Sequence, residues 1–140
     1  MPRILAIDYG TKRCGIAVSD PLQIIANGLT TVAAKDIFTF LENYFSKEEV
    51  ETIVVGEPKK LSGEKTHSTD FVLSFVKQLS KKFPGKKIEM VDERFTSKMA
   101  FRTMIDSGLK KKDRRNKALL DEISATIILQ SYMESDQGRK

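Results

Sequence analysis

The chain has 140 residues, with 24 Lys and Arg against 19 Asp and Glu, a net charge of +5, 40% hydrophobic and 31% charged residues. That length and balance suit one domain, residues 1–140, able to bury its own core, and exclude a disordered or collagen-like chain. One cysteine (Cys14) and one histidine (His67) exclude an intrachain disulfide and a Cys- or His-rich zinc site.

The first apolar run, Ile4-Leu5-Ala6-Ile7, is a short buried-type strand that stops at Asp8-Tyr9-Gly10. It is too short for a signal peptide and ends in an acid, and no later stretch is long enough to span a bilayer. A cytoplasmic setting without membrane contact is therefore expected. Thr11-Lys12-Arg13 forms a turn into a second strand, Gly15-Ile16-Ala17-Val18, so the chain opens as a hairpin. Ile24 to Val32 reads as a third strand, with Asn27-Gly28 marking a bend or bulge. Asp36 is placed to cap a helix with apolar positions Ile37, Phe38, Leu41, Tyr44 and Phe45. Thr52-Ile53-Val54-Val55 is a continuous apolar strand, the pattern of one covered on both faces.

A polar loop runs from Gly56 to about Thr66 and includes His67 at its end. Phe71, Val72, Phe75, Val76 and Leu79 trace the buried stripe of a second helix, which Pro84-Gly85 ends. Lys87 to Val91 is a fifth strand, closing on Asp92-Glu93-Arg94. Thr96 or Ser97 can cap a third helix reaching about Ser107, with Gly108 as its C-cap. The last helix runs from about Asn116 to Met133, and residues 134–140 form a frayed tail. Three strands followed by alternating helix and strand predict an α/β fold. Its sheet is mixed and five-stranded, the first three strands antiparallel, with helices on both faces.

Three acids fall at element ends: Asp8 after the first strand, Glu93 after the fifth, and Asp121 in the first turns of the last helix. In such sheets, sites gather beyond strand ends. Asp121 shares a helix face with Ala125 and Ile128, and an acid on a core-facing stripe needs a partner or a metal. Taken singly, each acid is better explained by a turn or a salt bridge, Asp121 with Arg114 or Arg115. Together, without His or Cys, they suit a hard cation such as Mg²⁺ or Mn²⁺. The segment Lys110-Lys111-Lys112-Asp113-Arg114-Arg115-Asn116-Lys117 holds six cations in eight residues and leads into the Asp121 helix. Cations oppose the helix dipole there, which suggests an outside use such as gripping phosphates, with plain solvation an equal alternative. Cys14 reads as a small buried residue, since no histidine is near it.

The run Ile7-Asp8-Tyr9-Gly10-Thr11-Lys12-Arg13-Cys14-Gly15-Ile16-Ala17-Val18-Ser19-Asp20 closely resembles the opening of the YqgF family. So do Val54-Val55-Gly56-Glu57-Pro58, Asp92-Glu93-Arg94-Phe95-Thr96-Ser97, and the closing run from Asp121 to Tyr132. The resemblance covers Arg3 to about Met133. It implies an RNase H-like fold similar to RuvC-type Holliday-junction resolvases, and a nuclease that processes the 5′ end of pre-16S rRNA. It carries the family's acidic positions onto Asp8, Glu93 and Asp121. Glu57 departs from the usual Leu of the family. As RuvC-type enzymes hold an acid near the end of the fourth strand, Glu57 is a candidate fourth ligand. The Asp8-Tyr9-Gly10-Thr11 turn is also similar to that of actin-like ATPases and sugar kinases, which need two such domains to enclose a nucleotide.

The expected function is thus phosphodiester hydrolysis with one or two Mg²⁺ or Mn²⁺ ions on Asp8, Glu93 and Asp121. Lys12, Arg13, Arg94 and the basic segment (Lys110, Lys111, Lys112, Arg114, Arg115, Lys117) would hold the nucleic-acid backbone. Expected partners are pre-rRNA, branched DNA and the ribosome, met as a monomer or weak homodimer. The rival readings are a Holliday-junction resolvase acting on DNA and a non-catalytic nucleic-acid-binding module.

Overall fold

Strand β1 (Arg3–Tyr9) and strand β2 (Arg13–Ser19) form an antiparallel hairpin, with Leu5 opposite Val18 and Tyr9 opposite Cys14. The computed structural model describes residues 2–57, 67–92 and 117–134. Strand β3 (Ala26–Ala33) pairs antiparallel with β2 and makes the sheet edge. A 3-10 turn, Ala34–Asp36, leads into helix α1 (Ile37–Lys47). Strand β4 (Val50–Glu57) returns parallel to β1. Helix α2 (His67–Lys82) then crosses to strand β5 (Lys87–Asp92), parallel to β4. Helix α3 (Lys117–Glu134) is the last described element. The strand order β3-β2-β1-β4-β5 is the mixed sheet expected from the element order, and it agrees with the RNase H-like fold that the family resemblance implies.

The pleat sorts side chains onto two faces. Leu5, Ile7, Cys14, Ile16, Ile53 and Val55 pack with Ile37 and Leu41 of α1 and Val72, Phe75 and Leu79 of α2. Ile4, Ala6, Ala17 and Val54 pack with Ala125, Ile128, Leu129 and Tyr132 of α3. β4 therefore reads as unbroken apolar sequence because each face is covered by a helix. Phe75 sits at the middle of the first face. Its ring stacks on Tyr9 at 4.1 Å between centroids and meets Phe38 at 5.6 Å. Phe75→Ala is expected to cost about 4 kcal/mol, read by urea unfolding, because the rings around it cannot collapse fully into the space.

Several details differ from expectation. β3 starts at Ala26 rather than Ile24, because the Asp20 carboxylate accepts hydrogen bonds from the backbone N–H groups of Leu22, Ile24 and Ile25. Those bonds hold the preceding loop out of the ladder and lower the Asp20 pKa. The bulge forecast at Asn27-Gly28 falls at Leu29, between the Ile16–Thr30 and Ala17–Gly28 pairs. Asp36 precedes α1 but its side chain makes no capping hydrogen bond, since the 3-10 turn already delivers the chain into the helix. His67 belongs to α2 rather than to the loop. Phe71 is 57% exposed, not core, because the buried stripe of α2 centres on Val72, Phe75 and Leu79 and leaves Phe71 at its margin. The forecast third helix, with Met99 and Met104, and the tail beyond Glu134 lie outside the described residues.

Candidate active site

The site forms where the β1–β2 hairpin turns, at the C-terminal end of β1. Asp8 lies directly opposite Gly15 in the hairpin register. Alternation puts Asp8 on the face of Ala6, and Arg13 and Gly15 on the face of Ala17, which is the face covered by α3. A Cβ on Gly15 would run into the backbone carbonyl of Asp121 and lie 2.9 Å from the Glu122 nitrogen. The missing side chain is what lets α3 settle onto β2, and it brings Asp121 over the strand end. Asp8 and Asp121, from opposite ends of the chain, thereby share one face of the sheet.

The electrostatics record that proximity. The Asp8 carboxyl is pushed up to about 7, first by burial and then by the Asp121 carboxylate facing it. Asp121 has a cationic neighbour: the Arg13 Nε–H donates to its Oδ2 at 2.5 Å. Arg13 on the hairpin thus forms a salt bridge with Asp121, while Arg114 and Arg115, the partners expected from sequence, lie outside the described residues. A cleft of about 270 Å³ opens here, lined by Gly10, Thr11, Lys12, Arg13 and Asp121. Its mouth is shaped by the hairpin turn, in which the Gly10 N–H donates to the Arg13 carbonyl at 3.1 Å.

Cys14 points to the other face and is fully buried. Burial, above all, raises its thiol to about 11, so it is no thiolate nucleophile. Glu57 follows Ile53 and Val55 in the alternation of β4, on the face of α1 and α2, away from Asp8. Glu93, Arg94 and the segment from Lys110 to Asn116 lie outside the described residues, as does the side chain of Lys117.

Two acids fit a hard divalent cation on this structure's own terms. Both are oxygen donors on one face, and the Asp8 carboxyl, raised first by burial and second by the Asp121 charge, is one whose ionised form a cation would stabilise. Among the described residues no three His, Cys, Asp or Glu side chains converge, so Asp8 and Asp121 are the residues there that could hold such an ion. Sequence reading did not single out Gly15. Its signal was available: Gly15 and Ala17 alternate on β2 opposite Asp8 and Ala6, a strip of small residues that admits a close helix.

Residues 2–135 match the family described as "RuvX: Holliday junction resolvase". A relative from Flavobacterium psychrophilum is 63% identical over 133 residues, covering 95% of this chain and 97% of the relative. Relatives from Flavobacterium johnsoniae and Bacteroides thetaiotaomicron are each 58% identical over 135 residues, covering 96% of this chain and 98% of theirs. All three carry the provisional name pre-16S rRNA nuclease. Matched from the start of its first strand to the end of α3, this chain belongs to the RuvX (YqgF) family.

Proposed function

We propose that this protein is a divalent-metal-dependent nuclease that trims the 5′ end of pre-16S rRNA during ribosome assembly in the cytoplasm. The observation that carries the reading is the juxtaposition of Asp8 and Asp121 on the α3 face, beside a cleft that Lys12 and Arg13 help to line. The names of the relatives supply the substrate class. Asp8 and Asp121 would hold Mg²⁺ or Mn²⁺, with Glu93 as the third ligand. Such an ion lowers the pKa of an attacking water and stabilises the leaving oxygen. A cation held by Asp8 would need that carboxyl ionised, so the apparent affinity for Mn²⁺ is expected to rise with pH up to about 7 and level above it, as read by titration calorimetry. Lys12 and Arg13 flank the cleft and orient the backbone phosphates without reading sequence. Among the described residues no helix is long and apolar enough to cross a membrane.

The family description favours one second reading, resolution of four-way DNA junctions. Cleavage of a pre-16S 5′-leader RNA beside a four-way junction, each with an Asp8→Asn control, separates the two. Leader cleavage that the control abolishes supports rRNA processing. Paired symmetric nicks in the junction alone support the resolvase. No cleavage of either by folded protein with Mg²⁺ or Mn²⁺ overturns both.

A further inference from the structure

Arg13 opens strand β2 on the face shared by Ala17 and α3, so its side chain leaves the sheet beneath the helix. There it is held by Asp121, and the two side chains are 35% and 22% exposed. Both also line the cleft. A guanidinium and a divalent cation seated on the same carboxylate oxygen, here the Oδ2 that Arg13 holds, are rivals, since they share its lone pairs and their positive charges repel. A guanidinium also fits the fork of a phosphate as well as that of a carboxylate. Any event that takes Asp121 away from Arg13 leaves a cation facing the cleft, with a phosphate as the natural replacement.

We propose that Arg13 is an exchangeable counter-ion: it rests on Asp121 without metal, and passes to a nucleic-acid phosphate when a divalent cation takes that carboxylate. The inference rests on the nuclease reading above and adds an order of events to it. It couples the two ligands. Metal strengthens the grip on the strand and, by reciprocity, the strand strengthens the grip on metal. An empty site, with Arg13 occupied, binds RNA weakly.

The test reads binding, with the intact protein, Mn²⁺, and a 2′-O-methyl oligouridylate checked on a gel to stay whole. Wild type is expected to bind the oligonucleotide about five- to tenfold more tightly with Mn²⁺ than without. Arg13→Gln is expected to bind Mn²⁺ alone about five- to tenfold more tightly than wild type, and to lose the Mn²⁺-dependent gain in RNA affinity. Arg13→Lys should recover part of that gain. A folded Arg13→Gln with unchanged or weaker Mn²⁺ affinity, or with the gain intact, overturns the exchange. A second measurement needs no variant. The Arg13 Nε–H resonance should be protected from exchange in metal-free wild type and lose that protection under saturating Mg²⁺. Protection that persists overturns the proposal. Failure of wild type to bind Mn²⁺ at all overturns the metal-nuclease reading itself, and is seen before any variant is made.

Discussion

Asp8→Asn is expected to lose metal-dependent cleavage by about 10³-fold or more while making the metal-free protein more stable at alkaline pH. On the proposed function, the loss follows from removing one of the two carboxylates that would hold the metal, equivalent to about 4 kcal/mol of barrier or more. The gain follows from linkage. Asp8 has a folded pKa of about 7 against an ordinary value of 3.8. Below about pH 4 the acid is neutral in both folded and unfolded chains, and no stability is lost. As pH rises toward 7 the unfolded chain ionises first, and the folded state loses up to about 4 kcal/mol. Asparagine never ionises, so the variant escapes this. Its melting temperature should exceed that of wild type by about 5–10 °C at pH 8 and match it near pH 4 in the presence of a chelator. Equal melting at both pH values would remove the case for a strained acid at position 8. Saturating Mg²⁺ should narrow the gap at pH 8, because only wild type gains the cation.

Gly15→Ala should be the most damaging small substitution in the hairpin, costing at least about 3 kcal/mol in urea unfolding. The new methyl meets the Asp121 carbonyl and the Glu122 nitrogen, which are backbone atoms of a packed helix and have nowhere to go. α3 must lift off β2, and Asp121 must leave Asp8, so residual folded protein should also lose Mn²⁺ binding. Gly28→Ala is the control. There the methyl would lie 2.6 Å from Glu122 Oε1 and 2.9 Å from its Cγ. These belong to a flexible side chain that can swing aside, so a cost of about 1 kcal/mol or less is expected, relieved by Glu122→Ala. A Gly15→Ala protein as stable as Gly28→Ala would refute the account of how α3 seats on the sheet.

Much of this molecule was legible in one dimension. Hairpin, crossover helices and strands came from periods of two and 3.6 and from turn residues, because these patterns report local geometry and burial. Asp121 was conspicuous because an acid on the stripe of Ala125 and Ile128 breaks that pattern. Where the reading failed, a local cue had competition. Asp20 took the backbone donors of Leu22, Ile24 and Ile25, which otherwise continue a strand. Phe71 looked like core by composition but fell at the edge of its helix stripe.

Sequence alone determined the order of elements, the hard-donor chemistry left by one Cys and one His, and the candidate acids Asp8, Glu93 and Asp121. Only the tertiary structure decided that Asp8 and Asp121 come close enough for their charges to interact, that Arg13 of the hairpin pairs with Asp121, and that Glu57 takes the other face of the sheet. The physical reason is one of range. Pleat and helix period are written into neighbouring residues, whereas the meeting of a strand with a helix from the far end of the chain depends on packing, here on a missing Cβ at Gly15.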